Sequence, residues 1–379
     1  MKAKAMKRKG NLYEAVCSLE NLQKAAAIAR IGKKHRADIK AYDLNADANL
    51  LELRDMLLQK EFSTSNYIKR IIKDPKEREI SKLPFYPDQI VHWGIMNVAG
   101  GILINSFTSH SYASIKGKGV HAACNAVDRA LRDVPATTYC LKIDVRKFYD
   151  NVDHDILKAL IRRKIKDADL LWLLDEIIGS APGLPIGNLL SGLFANLYLN
   201  GLDHYIKETL RVRYHFRYMD DMILLSGSKP YLHKLLADIR AYLKDHLNLE
   251  LKKSYQIFPV DARGINFLGY VKFHGYTLLR PRNKKSFARA VAKCSNIQSI
   301  ASHLGWASHA NTNHLVKKLL YDNEKFQRLQ HKTKNKGFHR TEHRSGGHPQ
   351  TGDNSPRLQN RTVQISREIR VLPATADKL

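Results

Sequence analysis

Three aspartates carry the most pointed chemistry in this sequence. Asp220 and Asp221 stand together in Tyr218-Met219-Asp220-Asp221, and Asp144 closes the run Thr138-Tyr139-Cys140-Leu141-Lys142-Ile143-Asp144. Adjacent carboxylates repel each other and resist desolvation, and a hard divalent cation with a preference for oxygen ligands relieves both problems. An isolated Asp-Asp pair is more often a solvated turn. A third carboxylate in a matching setting, about seventy-five residues earlier, suits instead a two-cation centre for phosphoryl transfer. One cation would activate an attacking 3′-hydroxyl, and the other would hold a triphosphate and its leaving oxygen.

Such carboxylates need rigid strand ends. In Val212-Arg213-Tyr214-His215-Phe216-Arg217, alternation places Val212, Tyr214, Phe216 and Tyr218 on one strand face. Met222-Ile223-Leu224-Leu225 reads as a second strand, closed by Ser226-Gly227-Ser228. Tyr139, Leu141 and Ile143 share one face of the earlier strand, which leaves Asp144 on the other with Lys142. Asp153 then caps a helix through Ile156, Leu157, Leu160 and Ile161.

The chain has 379 residues, 44% of them hydrophobic, which is enough for two or three packed lobes. Its formal net charge of +27 suits a polyanionic partner, and beside a phosphoryl-transfer motif that partner is nucleic acid. Cys17, Cys124, Cys140 and Cys294 are widely spaced, against a zinc site or disulfide framework and in keeping with a reducing cytosol. The basic start (Lys2, Lys4, Lys7, Arg8, Lys9) leads into no long apolar core, so neither a secretory signal nor a membrane span is expected, and the expected location is cytoplasmic.

The Tyr-Met-Asp-Asp box, taken with Asp144-Val145-Arg146-Lys147-Phe148-Tyr149, resembles the palm of a reverse transcriptase. The resemblance spans roughly residues 70 to 320 and is nearest to bacterial and phage retroelement enzymes of the group II intron-like superfamily. It implies an α+β right-hand polymerase with fingers, a ferredoxin-like palm and a helical thumb. It also implies an RNA template, a DNA or protein primer, dNTPs, and two Mg²⁺ ions for which Mn²⁺ can substitute. Asp144, Asp220 and Asp221 would be the catalytic carboxylates and metal ligands, with Asp221 more peripheral, and the Val145 carbonyl a further ligand. Tyr149 matches the family's steric gate against a ribose 2′-hydroxyl, although on composition alone it reads as core packing.

Further nucleotide contacts follow from the same resemblance. Lys76 and Arg78 lie in a fingers element, Asp74-Pro75-Lys76-Glu77-Arg78, which would otherwise be an ordinary basic hairpin. Ser111 to Gly119 resembles the second fingers motif, but Ile115 stands where arginine is common, so the triphosphate contact passes to Lys116 or Lys118. Ile186 and Gly187, in Gly183-Leu184-Pro185-Ile186-Gly187, stand where many members carry Gln before the glycine. An apolar residue there is typical of diversity-generating retroelements and some defence enzymes, but Ser191-Gly192 departs from the Ser-Gln of the first group. Lys252 and Lys253 resemble the lysine facing the leaving pyrophosphate, or else belong to a solvent-facing strand. Phe267, Leu268 and Gly269 resemble the primer grip.

The expected domains are a basic helical extension (1–60), fingers and palm (61–272), a helical thumb (273–325) and a basic, largely disordered tail (326–379). Arg280, Arg282, Lys284, Lys285 and Arg289 are expected to precede a thumb helix, with Trp306 as a core anchor. His339, His343 and His348 lack metal spacing, and Val363 to Leu372 reads as a short strand or docking segment. Beside an error-prone polymerase, a defence-associated enzyme and a catalytically weak RNA-binding scaffold stay open, as does a structured RNA or accessory protein as partner. If phosphate contacts dominate, template–primer affinity will fall steeply with salt, and removing residues 331–379 will flatten that slope. A titration that gives the same slope for both proteins would return the tail to a merely solvated role.

Overall fold

Short amphipathic helices precede the first strands. α1 (Tyr13–Cys17), α2 (Leu19–Ala29), α3 (Ala37–Asp43) and α4 (Ala46–Leu58) turn Val16, Leu22, Ala25, Ile39, Leu53 and Leu57 inward. Ser18 caps α2 by accepting the Asn21 N–H, whereas Asn45 precedes α4 without a side-chain cap. The computed structural model describes residues 7–73, 77–293 and 297–321. Lys76, Cys294, the basic tail with its three histidines, and Val363 to Leu372 lie outside them.

The chain divides into two compact units, Met1–Val127 with Pro135–Phe258, and Asp128–Val134 with Pro259–Leu379. In the first, β1 (Ile68–Ile72) and β2 (Arg78–Lys82) form a two-stranded antiparallel hairpin whose Ile68, Ile71 and Ile72 are exposed. The helical stretch α5 (Ile90–Ile95) and α6 (Gly101–Ile104) is joined by a wider turn over Met96–Gly100. α7 (Val120–Ala130) then leads across into the second unit.

A four-stranded sheet organises the first unit. β3 (Tyr139–Asp144) is followed by α8 (His154–Arg162), α9 (Ala168–Gly179) and α10 (Leu189–His204). β4 (Tyr214–Tyr218) and β5 (Asp221–Ser226) form a hairpin, and α11 (Lys229–Leu247) leads to β6 (Gln256–Pro259). The spatial order is β4-β5-β3-β6, so each helical crossover joins strands separated by one intervening strand. Leu141, Ile143, Met222 and Leu224 enter one core with Leu193, Leu197, Leu235 and Ile239 of α10 and α11. Each such fully buried aliphatic side chain contributes roughly 1.5–3 kcal/mol. Asp153 caps α8 as expected, accepting the Asp155 and Ile156 N–H groups. Around Lys252 and Lys253 the solvent-facing strand, one of the two readings of that stretch, does not form: Leu251 bridges to Val145, and the strand begins at Gln256.

In the second unit, α12 (Val260–Arg263) precedes the antiparallel strands β7 (Ile265–Phe267), β8 (Tyr270–Lys272) and β9 (Thr277–Leu279), in that order. Lys272, fully buried on β8, places its ammonium 2.6 Å from Asp128 Oδ1 of α7. Helices α13 (Pro281–Lys293), α14 (Ile297–Ala307) and α15 (Asn313–Val316) follow, with Phe287, Val291, Ile300 and Leu304 buried. The basic residues from Arg282 to Arg289 therefore lie within a helix rather than ahead of one, because Pro281 suits a first helical position. Trp306 is half-buried and stacks on Tyr270, with ring centroids 5.5 Å apart.

Two histidines in the first unit are buried without charge. Burial pushes His92 of α5 and His215 of β4 down to about 4. The unfolded chain therefore binds protons below pH 6.5 that the folded chain refuses, and stability falls as the pH drops from 6.5 towards 4. Each histidine contributes about 3 kcal/mol to that loss, while Asp220, whose pKa is raised, offsets part of it. Thermal melting between pH 7.5 and 5 will show a steep acid decline, and His92→Gln will flatten it. An unchanged slope in the variant would show that His92 takes no part.

Candidate active site

The β4–β5 hairpin closes through two residues, Met219 and Asp220, with Tyr218 opposite Asp221. Strand twist favours a positive φ at the first position of so short a turn, and Met219 adopts it at +54° although it is not glycine. The β3–β5 register sets Asp144 opposite Asp221, so both project from the face opposite the core, as does Lys142. The Asp221 carboxylate is drawn to Lys142, whose Nζ lies 3.3 Å from its Oδ1.

Asp220 meets Asp144 directly. Burial, and next the charge of Asp144, raise the Asp220 carboxyl to about 6, and in its protonated form it donates a hydrogen bond to Asp144. Lys252 Nζ lies 2.5 Å from Asp144 Oδ1, but the angle leaves that oxygen without a well-aligned hydrogen bond. At neutral pH the Asp220 carboxyl is still largely ionised, so the Lys252 ammonium is the countercharge that the two carboxyls share. An under-coordinated, partly buried pair of hard oxygen donors fits a divalent cation, which would take the place of the ammonium. Among the described residues, no group of three or more His, Cys, Asp or Glu is placed to hold one ion together. The structure brings Asp144 and Asp220 together and sets the Asp221 carboxylate apart on Lys142.

Val145 and Lys252 take their places through backbone pairing. The Arg146 N–H donates to Glu250 O and the Lys252 N–H to Asp144 O, both at 2.8 Å. These bonds flank the Val145–Leu251 bridge, so the Val145 carbonyl points to the opposite edge, the side of β5 and its turn. The same pairing delivers Lys252 to Asp144, while Lys253 sits in an exposed turn beyond it. The sequence left a solvent-facing strand open here beside the pyrophosphate contact, because the distant carboxylate partner is invisible locally.

Beside the carboxylates lies a cavity of about 540 Å³, walled by Tyr149, Ile186, Gly187, Gly192 and Met219 and rimmed by Lys33, Arg36 and Lys82. The half-buried Tyr149 hydroxyl lies 3.7 Å from Met219 Sδ, and its ring meets Phe148 edge-on. Burial, then Asp220 and Tyr218, push the Tyr149 phenol up to about 12. The β1–β2 hairpin docks on the turn before α10, the Ser81 N–H donating to Ile186 O at 2.7 Å. Gly187 is required at this contact. Its φ is +116°, and a Cβ would stand 2.9 Å from both Ser81 O and Ile80 Cγ2. At Gly192, a Cβ would stand 2.7 Å from Ser114 Oγ and 3.6 Å from Met219 Cε.

Other expected contacts divide. Lys116 is exposed on the loop before α7, but Lys118 turns its ammonium back onto the carbonyls of Ser111 and Ser109, at 2.9 and 3.1 Å. That geometry gives Lys118 a loop-closing task in place of an open phosphate contact. Arg78 is exposed on β2. Phe267 is buried, and Leu268 has φ +48° at the tip of the β7–β8 hairpin, within the second unit. Sequence reasoning missed Lys33, whose ammonium is lowered by burial and next by Arg36. Its signal was the run Gly32-Lys33-Lys34 in the break between α2 and α3. It also missed Arg217 and Asp203, fully buried beneath the turn, which Asn196, Asn200 and Asp203 foreshadow as a polar stripe at helical spacing on α10.

Residues 94–271 match the family model described as reverse transcriptase (RNA-dependent DNA polymerase). The chain is similar to protein YkfC of Escherichia coli, 24% identical over 274 residues, covering 59% of this chain and 70% of YkfC. It is also similar to the group II intron-encoded protein LtrA of Lactococcus lactis, 24% identical over 147 residues, covering 36% of this chain and 24% of LtrA. Among solved structures, apo telomerase from Candida tropicalis superposes with a TM-score of 0.47 at 13% identity, covering 73% of this chain and 59% of that one. The chain thus spans most of YkfC but about a quarter of LtrA.

Replacing Gly187 tests how the hairpin is seated. Gly187→Ala will cost about 1–3 kcal/mol through strain and the clash with Ser81. Melting temperature and amide exchange at Ser81 read it out, with protection lost there first. A variant that melts normally and keeps Ser81 protected would show that the contact is dispensable.

Proposed function

We propose that this reverse-transcriptase-like chain is an RNA-directed DNA polymerase that adds dNTPs to a primer 3′-hydroxyl, with Asp144 and Asp220 holding two Mg²⁺ ions. One observation carries the reading: the Asp144 and Asp220 carboxyls abut at the end of a strand pair, with the Lys252 ammonium 2.5 Å from Asp144 Oδ1. The match to the reverse transcriptase family over residues 94–271 supports it, as does the sheet order β4-β5-β3-β6, which suits a ferredoxin-like palm. In this reading β1–β2 belongs to the fingers and α13–α14 to the thumb.

The bound cations would acidify the attacking hydroxyl and neutralise charge on the departing pyrophosphate. Asp144, Asp220 and the Val145 carbonyl would hold them, and Asp221, paired with Lys142, would fix the strand end. Lys252, freed from Asp144, would turn its ammonium to the triphosphate. Tyr149 would stack against the sugar and exclude a 2′-hydroxyl. Ile186 and Gly187 would bound the nascent pair by shape, which discriminates less than hydrogen-bond matching. Lys33, Arg36, Lys82, Arg78 and Lys116 would face phosphates, and Phe267, Leu268 and Gly269 would hold the primer.

The finer assignment is to a bacterial or phage retroelement. Gly192, packed against Ser114, stands where diversity-generating enzymes usually carry glutamine. That weighs towards the defence-associated group.

Primer extension on an RNA template decides the reading. Wild type will incorporate dNTPs with Mg²⁺, and Asp220→Asn will be slower by on the order of a thousandfold with template affinity nearly intact. Equal rates would overturn it. Tyr149→Ala will admit ribonucleotides, and unchanged rNTP:dNTP selectivity would return Tyr149 to packing.

A further inference from the structure

Arg217 is a long, charged side chain with no exposure at all, on the core face of β4 one residue before the hairpin's last pair. Every one of its donors is engaged. Nε lies 2.8 and 2.9 Å from the two carboxylate oxygens of Asp203, and Nη2 donates to Asp203 Oδ2 at 2.6 Å and to Ser111 Oγ at 3.1 Å. Nη1 donates to Asn196 Oδ1 and to the carbonyl of Met219, both at 3.1 Å. Asp203 is itself fully buried on α10. The last contact is telling, because Met219 is the left-handed residue of the turn that carries Asp220.

The same arginine fastens a second segment. Its N–H donates to His110 O at 3.0 Å, and its carbonyl accepts the Tyr112 N–H at 3.1 Å. Asn196 completes the arrangement, its Nδ2 donating to Ala113 O at 2.7 Å. One guanidinium therefore ties α10, the loop 110–113 and the strained turn together. A lysine ammonium, with one nitrogen, lacks the planar fork that reaches all of these acceptors at once.

We infer that Arg217, clamped by Asp203, is a positioning residue that holds the Met219 carbonyl and thereby fixes where the Asp220 carboxylate stands. A buried ion pair with no such task would serve only the packing of the sheet on α10, and replacing both charges with apolar groups would then be harmless. The inference rests on the polymerase reading for its effect on rate, and on geometry alone for its effect on the turn.

Two variants test it: Arg217→Lys, which keeps a cation opposite Asp203, and the charge-free pair Arg217→Leu/Asp203→Leu. Hydrogen exchange at the amides of residues 219–221 reports on the turn, and those of Leu141 and Ile143 report on the sheet. Expected in both variants is exchange about tenfold faster at the turn with the sheet unchanged. Single-turnover incorporation should fall about a hundredfold, with the KM for dNTP and template affinity moving less than about threefold. Turn amides that exchange at the wild-type rate would overturn the inference, and so would loss of the whole fold in both variants. A loosened turn in a protein whose wild type never extends a primer would leave the clamp standing and remove the polymerase reading.

Discussion

Two carboxyl groups pressed against each other in a partly buried site set the terms for the rest of this structure. Asp144 and Asp220 repel when both are charged, which together with burial raises the Asp220 carboxyl to about 6, and the Lys252 ammonium beside Asp144 eases the contact. No folding advantage follows from such a pair, so the surroundings must hold it in place. The β3–β5 register fixes Asp144, a two-residue turn with Met219 left-handed presents Asp220, and a fully bonded arginine lies beneath that turn. Local strain of this kind persists where the surrounding structure over-determines it, and sites of chemistry are where it collects.

The cavity beside the pair follows the same logic at longer range. Its walls come from segments far apart in sequence, joined where backbone approaches backbone, as Ser81 does at Ile186. Lys33, Arg36 and Lys82 crowd positive charge on its rim, and burial together with those neighbours already lowers the Lys33 ammonium. Like charges gathered around a hollow raise the local concentration of an anionic ligand. The carboxyl pair and the cationic rim are thus complementary, one suited to divalent cations and the other to the phosphates those cations accompany.

How much of this could be read from the chain depended on the range of the interaction. Strand alternation placed Asp144 opposite the core face, and Asp153 announced the start of α8, because both are local patterns. Periodicity could not show that Arg217 turns inward to Asp203 and Ser111, since its partners come from other elements. For Lys252 the sequence left two readings open, a pyrophosphate contact or a solvent-facing strand, and backbone pairing with Asp144 carries it to the carboxylates. Lys118 looked like a phosphate ligand by its place in a motif, yet nearby carbonyls claim its ammonium. Asp221 shows the limit of counting carboxylates: adjacency in sequence put it beside Asp220, and the pleat sent it to Lys142.

A divalent cation is expected to take the place of the Lys252 ammonium and bridge Asp144 and Asp220. Anomalous diffraction from crystals grown with Mn²⁺, a template–primer and a non-hydrolysable dNTP would test it most directly. The account predicts a manganese peak between the two carboxylates, with Lys252 Nζ moved from Asp144 to the triphosphate. Manganese bound elsewhere, with Lys252 still seated on Asp144, would contradict it.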